Sequence, residues 1–107
     1  KFGALAHSSK KAIIAGSVNQ NSQSEAEREA LNFCRRESGS KDCKVIIGVQ
    51  NGCVAAAEGR LSRNSYIVTP AASAKAGEAE DKALALCKAK GAKDCRILAY
   101  EGCSFPY

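Results

Sequence analysis

The sequence predicts an α+β fold made by internal duplication. The expected form is a single domain, 1–107, built from two repeats of about 1–53 and 54–107. It should hold an antiparallel six-stranded sheet of two three-stranded meanders, two helices, pseudo-twofold symmetry and three disulfides. A thin core, a repeat and an even cysteine count carry this reading.

The chain has 107 residues, and 45% are apolar, but alanine supplies 19 of them. Large aliphatics number 17, with three Phe and three Tyr. Such a core buries modest area, and a domain this small gains from covalent staples. The repeat supplies the plan. Residues 25–34 and 78–87 share E-A-E-x-x-A-L-x-x-C, Lys41-Asp42-Cys43 matches Lys93-Asp94-Cys95, and Asn51-Gly52-Cys53 matches Glu101-Gly102-Cys103. Upstream, Ala4-Leu5-Ala6-His7 answers Ala55-Ala56-Ala57-Glu58.

Each unit then reads in the same order. Strands are expected at 2–7 and 11–18, joined by a Ser-Ser-Lys-Lys tip. Helix 1 starts near Ser22 or Ser24, since Ser22-x-x-Glu25 and Ser24-x-x-Glu27 both fit a capping box. Its apolar face is Ala26, Ala30, Phe33 and Cys34, and Gly39 is its stop. A strand at 43–50 leads into Asn51-Gly52, a tight-hairpin signal. The second unit has strands at 53–58 and 64–69 and a helix over 74–90. That helix should bury Ala76, Ala79, Ala83, Leu86 and Cys87, ending at Gly91. A last strand covers 95–100. The meanders expected are 43–50, 53–58, 64–69 and their twin 95–100, 2–7, 11–18.

The six cysteines contain no C-x-x-C. Close ligand pairs for zinc and redox dithiols are therefore lacking. In a small, core-poor chain they read as disulfides of an oxidising compartment. Six cysteines allow 15 pairings, and about seven respect the repeat. The simplest is Cys34–Cys43, Cys87–Cys95 and a bridge between halves, Cys53–Cys103. On chain-entropy grounds each short loop contributes roughly 2.5 kcal/mol and the long one roughly 4.

No run of apolar residues is long enough to span a membrane as a helix. The chain opens abruptly at Lys1-Phe2-Gly3-Ala4, and the expectation is a mature form without its leader, periplasmic or secreted. Net charge is +5 and the pI is about 9.0. Part of that charge complements the helix dipoles: acids such as Glu25 and Glu78 at the starts, and Arg35, Arg36, Lys88 and Lys90 at the ends. Lys10 and Lys11 at one hairpin tip, and Arg60 and Arg63 at the other, are the candidate contacts for an anionic partner. Phe105 and Tyr107 at the chain end are candidate aromatic contacts.

Catalysis finds little to work with. His7 is the single imidazole, the cysteines are used in pairing, and no nucleophile elbow, zinc motif or phosphate loop occurs. No catalytic residue, metal or cofactor is expected. Nucleic acid is not an expected partner, since basic residues are not interleaved with exposed aromatics.

The segments F-G-A-L-A-H, E-A-E-x-x-A-L-x-x-C, K-D-C-K-V-I-I and N-G-C-V-A-A-A, followed by a degenerate second round, resemble the bacterial family called domain of unknown function 4189. The resemblance covers nearly the whole chain. It implies a small exported protein and transfers no catalytic or ligand residue. An aromatic often found near the second strand of such domains is replaced here by Ile13-Ile14-Ala15-Gly16. The function expected is a non-enzymatic binding protein, such as an immunity protein or inhibitor of a toxin or cell-wall hydrolase. The alternative is a secreted effector or surface factor that engages an anionic membrane, cell-wall polymer or host component through the basic tips.

Overall fold

The computed structural model describes residues 1–106. The order is β1 (Phe2–Ser8), β2 (Ile13–Gln20), α1 (Gln23–Ser38), β3 (Lys44–Gln50), β4 (Gly52–Ser62), β5 (Ser65–Ser73), α2 (Ala79–Ala89) and β6 (Lys93–Ser104). The same ββαβ order thus occurs twice. Two three-stranded antiparallel sheets form, with orders β2-β1-β3 and β5-β4-β6.

The α+β class, the two helices and the three disulfides agree with the expectation. The strand partnership differs. β1 and β4 are central, as expected, and each pairs with its hairpin partner. The third strands are exchanged: β3 joins β1, and β6 joins β4. Among the described residues there is no six-stranded sheet, and neither sheet is a sequential meander. The reason lies in the helix. α1 packs over its own hairpin, ends at Gly39, and is clasped to the next strand by Cys34–Cys43. So short a connection delivers β3 to the sheet that α1 already covers. Asn51-Gly52 then makes a corner between sheets, with Asn51 at φ 52° and its N–H donating to the Lys1 carbonyl at 2.7 Å.

The sheets stack face to face, β1 over β4, β2 over β6 and β3 over β5, with a helix on each outer face. Side-chain alternation along the central strands builds this α/β/β/α sandwich. Ala4 and Ala6 point to α1, while Leu5 points to the other sheet. Ala55 and Ala57 lie on the α2 side, while Val54 and Ala56 meet Leu5 between the sheets. Both faces of β1 and β4 are covered, so their apolar residues run continuously. Alanine lets the helices sit close. Buried hydroxyls tie each helix to its sheet: Ser17 donates to the Ala26 carbonyl at 2.6 Å and Thr69 to the Ala83 carbonyl at 3.0 Å.

Ser22 is the N-cap of α1, its Oγ accepting from the Glu25 N–H at 3.1 Å. Gly39, at φ 68°, ends the helix as expected. Ala26, Ala30 and Cys34 are buried, and Phe33 is half-buried beneath the Arg36 guanidinium. α2 starts at Ala79, later than expected, because Gly77 adopts φ 87° and breaks the helical path. Ala76 therefore lies outside the helix and is exposed, and Leu86 is also exposed. Gly91 at φ 83° closes α2, with its N–H bonded to the Lys88 carbonyl and that of Ala92 to Cys87.

The pairings Cys34–Cys43, Cys87–Cys95 and Cys53–Cys103 are those expected. The role of the third is not. Cys53 lies on β4 and Cys103 directly opposite on β6, so the bond staples one sheet instead of joining the halves. The matching positions of the first sheet are Phe2 and Gln50, which carry no disulfide. Asn51-Gly52-Cys53 and Glu101-Gly102-Cys103 are thus a sequence match without structural equivalence.

Candidate functional site: the hairpin-tip end

The two units stack with β1 and β4 running in the same direction. His7 and Glu58 occupy equivalent positions, each paired with the return strand, His7 with Lys44 and Glu58 with Arg96. Both line one cleft of about 370 Å³, with Ser9, Ala12, Tyr66, Val68 and Arg96. The two hairpin tips therefore project from the same end. Both helices also finish there, since each follows a strand that has returned from the tip.

This geometry sorts the charge. The hairpins bring Lys10, Lys11, Arg60 and Arg63. The helix ends bring Arg35, Arg36, Lys88 and Lys90. The loops and first residues of the return strands bring Lys41, Lys44, Lys93 and Arg96. These three groups of four make twelve of the chain's sixteen lysines and arginines, and all twelve are exposed. Four acids, Glu37, Asp42, Glu58 and Asp94, share that end, leaving a surplus of eight positive charges. The opposite end holds the other four cations and seven acids, a deficit of three, which restores the net +5.

Three of the four acids at the tip end are structural ties. Asp42 accepts from the hydroxyls of Ser8, Ser9 and Ser40 and from the Lys10 N–H, the last at 3.0 Å. It fastens the first hairpin tip to the loop after α1. The Ser40 hydroxyl, then that of Ser8 and the Lys10 N–H, hold its carboxyl well below the usual carboxylate range. Asp94, its repeat equivalent, pairs with Arg60 at 2.9 Å, and Glu58 accepts from the Arg96 Nε at 2.7 Å. These exposed pairs contribute little stability; they hold two guanidiniums in place beside Tyr66, which is 67% exposed.

The predicted contacts are placed as follows. Arg60 and Arg63 join Leu61 and Lys93 around a concavity of about 280 Å³. Lys10 and Lys11 sit across the cleft on the other hairpin. Phe105 is half-buried at the opposite end, against the cluster of Cys53, Ala55 and Ala79. Tyr107 lies outside the described residues. Sequence reasoning missed Asp42, Asp94, Leu61 and Tyr66, and it assigned the helix-end cations to the dipoles alone. The repeated Lys-Asp-Cys was the available signal, since it sets an acid beside each clasp.

Among the described residues, one trio has metal-like proximity, Cys53, Glu101 and Cys103. Both sulfurs are in a disulfide, so they offer no thiolate. Glu101 instead accepts from the N–H groups of Gly77 and Ala79, at 2.8 and 3.1 Å, and caps α2.

Residues 2–103 match the family named domain of unknown function 4189 (DUF4189). The chain belongs to this family. Comparison with curated proteins and with solved structures finds no match. The DUF4189 match covers both units and all six cysteines. Three disulfides in a DUF4189 chain of this size point to an oxidising, exported environment. No helix among the described residues is long and apolar enough to cross a membrane.

Proposed function

We propose that this protein works outside the cytoplasm, periplasmic or secreted, as a non-catalytic binding protein whose hairpin-tip end recognises an anionic surface. The observation that carries this is the gathering of twelve of sixteen cations on one end. The ties through Asp42, Asp94 and Glu58 support it, because a pre-organised surface loses little entropy on binding. Asp42 also makes a poor general base, because the hydrogen bonds that lower its pKa weaken its affinity for a proton and occupy its oxygens.

A second reading, an immunity protein or inhibitor that covers an acidic protein surface, is favoured by the cleft between the tips. Its Tyr66 and Arg96 are of the types that dominate protein hot spots.

The test uses the oxidised protein with phosphatidylglycerol vesicles and poly-L-glutamate as anionic probes. Binding to at least one should weaken steeply from roughly 50 to 300 mM salt. Reversing Lys10, Lys11, Arg60 and Arg63 to Glu should abolish it. Replacing Lys1, Arg28, Lys75 and Lys82 by Gln should not. Equal loss in both variants would overturn the assignment of the face.

A further inference from the structure

We propose that the partner of the tip end is an anionic phospholipid bilayer, with Leu61 seated at the boundary of headgroups and acyl chains. This rests on the reading of that end as a face for anionic surfaces. It adds which surface, and how it is gripped.

The second hairpin reaches further than the first. Ser8 and Gly59 follow the equivalent residues His7 and Glu58, yet β1 stops at Ser8 and β4 runs on to Ser62. At about 3.3 Å per residue, three more residues carry the strand on by roughly 10 Å. The extension presents Leu61, a large aliphatic that is 46% exposed, between Arg60 and Arg63 and beside Lys93. Leu61 belongs to none of the buried apolar clusters and leaves nearly half of its surface in water. Flanked by cations, it has the amphipathic pattern of an interfacial anchor. Tyr66 follows on the same hairpin, exposed, and is a residue type that favours the membrane–water interface.

The cations fit the same partner. They come from both hairpins, both helix ends and both return strands, spread over the end instead of converging on one deep pocket. A single keyed anion would need convergence, whereas a charged lipid surface rewards spread, since each cation brought near it adds attraction. Long lysine and arginine stems also let the charge stay in the headgroup layer while Leu61 goes deeper.

The chain has no tryptophan, so Leu61→Trp gives a single reporter. The probe is vesicles of roughly one-third phosphatidylglycerol in phosphatidylcholine, with pure phosphatidylcholine as control. Sedimentation and fluorescence are read on the oxidised protein, with near-native amide spectra checked for each variant. The expected result is salt-sensitive binding to the anionic vesicles, a blue shift of the reporter, and partitioning about tenfold weaker for Leu61→Ala. Binding with no blue shift and no effect of Leu61→Ala overturns the bilayer anchor and leaves the anionic-surface reading standing. So does binding to poly-L-glutamate without binding to vesicles. Binding to neither probe overturns both.

Discussion

Cys53 and Cys103 stand directly opposite each other on β4 and β6, inside the second sheet. The first sheet has Phe2 and Gln50 at the matching pair and relies on packing there. Apart from the chain itself at Asn51-Gly52, the two halves are therefore held together by the apolar seam around Leu5, Val54 and Ala56, with no disulfide between them.

Removing this bond should act on one sheet. The double variant Cys53→Ala, Cys103→Ala reopens a separation of 50 residues in the unfolded chain, which costs about 4 kcal/mol of stability. Amide exchange should speed up first in β4 and β6. Equal acceleration across β1 would show that the bond does hold the halves together.

Asp42 makes the first tip sensitive to acid. Its folded pKa is depressed, so its contribution to stability is fully present above the ordinary carboxylate value and is lost as pH falls through and below it. Tm of the wild type should therefore fall more steeply in acid than that of Asp42→Asn. The variant should start lower at neutral pH. Parallel Tm profiles for the two proteins would remove Asp42 from this role.

Gly59 and Gly39 should respond differently to alanine. A Cβ on Gly59 would lie 2.4 Å from Cys87 Sγ and 2.9 Å from Cys95 Sγ, inside the clasp of α2. The bonded sulfurs have little room to retreat, and overpacking of this kind costs roughly 2–3 kcal/mol. A Cβ on Gly39 meets nothing, and only its φ of 68° is penalised, at about 1 kcal/mol. Urea melts should rank Gly59→Ala as the more damaging change.

Glu101 serves α2 from another element. Its carboxylate takes the N–H groups of Gly77 and Ala79, a task that Glu78 at the cap position does not perform with its own side chain. Glu101→Ala should cost about 1 kcal/mol and raise exchange in the first turn of α2. Unchanged protection of Ala79 and Glu80 would refute the capping role.

The sequence made the units, the disulfide pairs and the central strands legible, because each rests on local pattern. Ala4-Leu5-Ala6 and Val54-Ala55-Ala56-Ala57 are apolar at consecutive positions, which marks strands covered on both faces. The strand partnership was not legible in the same way. Asn51-Gly52 suits a hairpin and also suits a corner, and the choice was made by α1 and its clasp. The tip-end surface was half visible. Lys10, Lys11, Arg60 and Arg63 announce themselves as turn residues, whereas Lys93 and Arg96 join them only once β6 is known to return beside β4. Asp94 reaches Arg60 only through that same register.

The sorting of charge along the strands also makes the protein an electric dipole. In the field of a negatively charged surface such a body feels a torque before it makes contact. Rotation toward the hairpin tips lowers its energy at every distance where the field is not screened. The two co-directed helices, by ending their acidic starts and basic ends at opposite poles, would thus set the angle of approach as well as the face that touches.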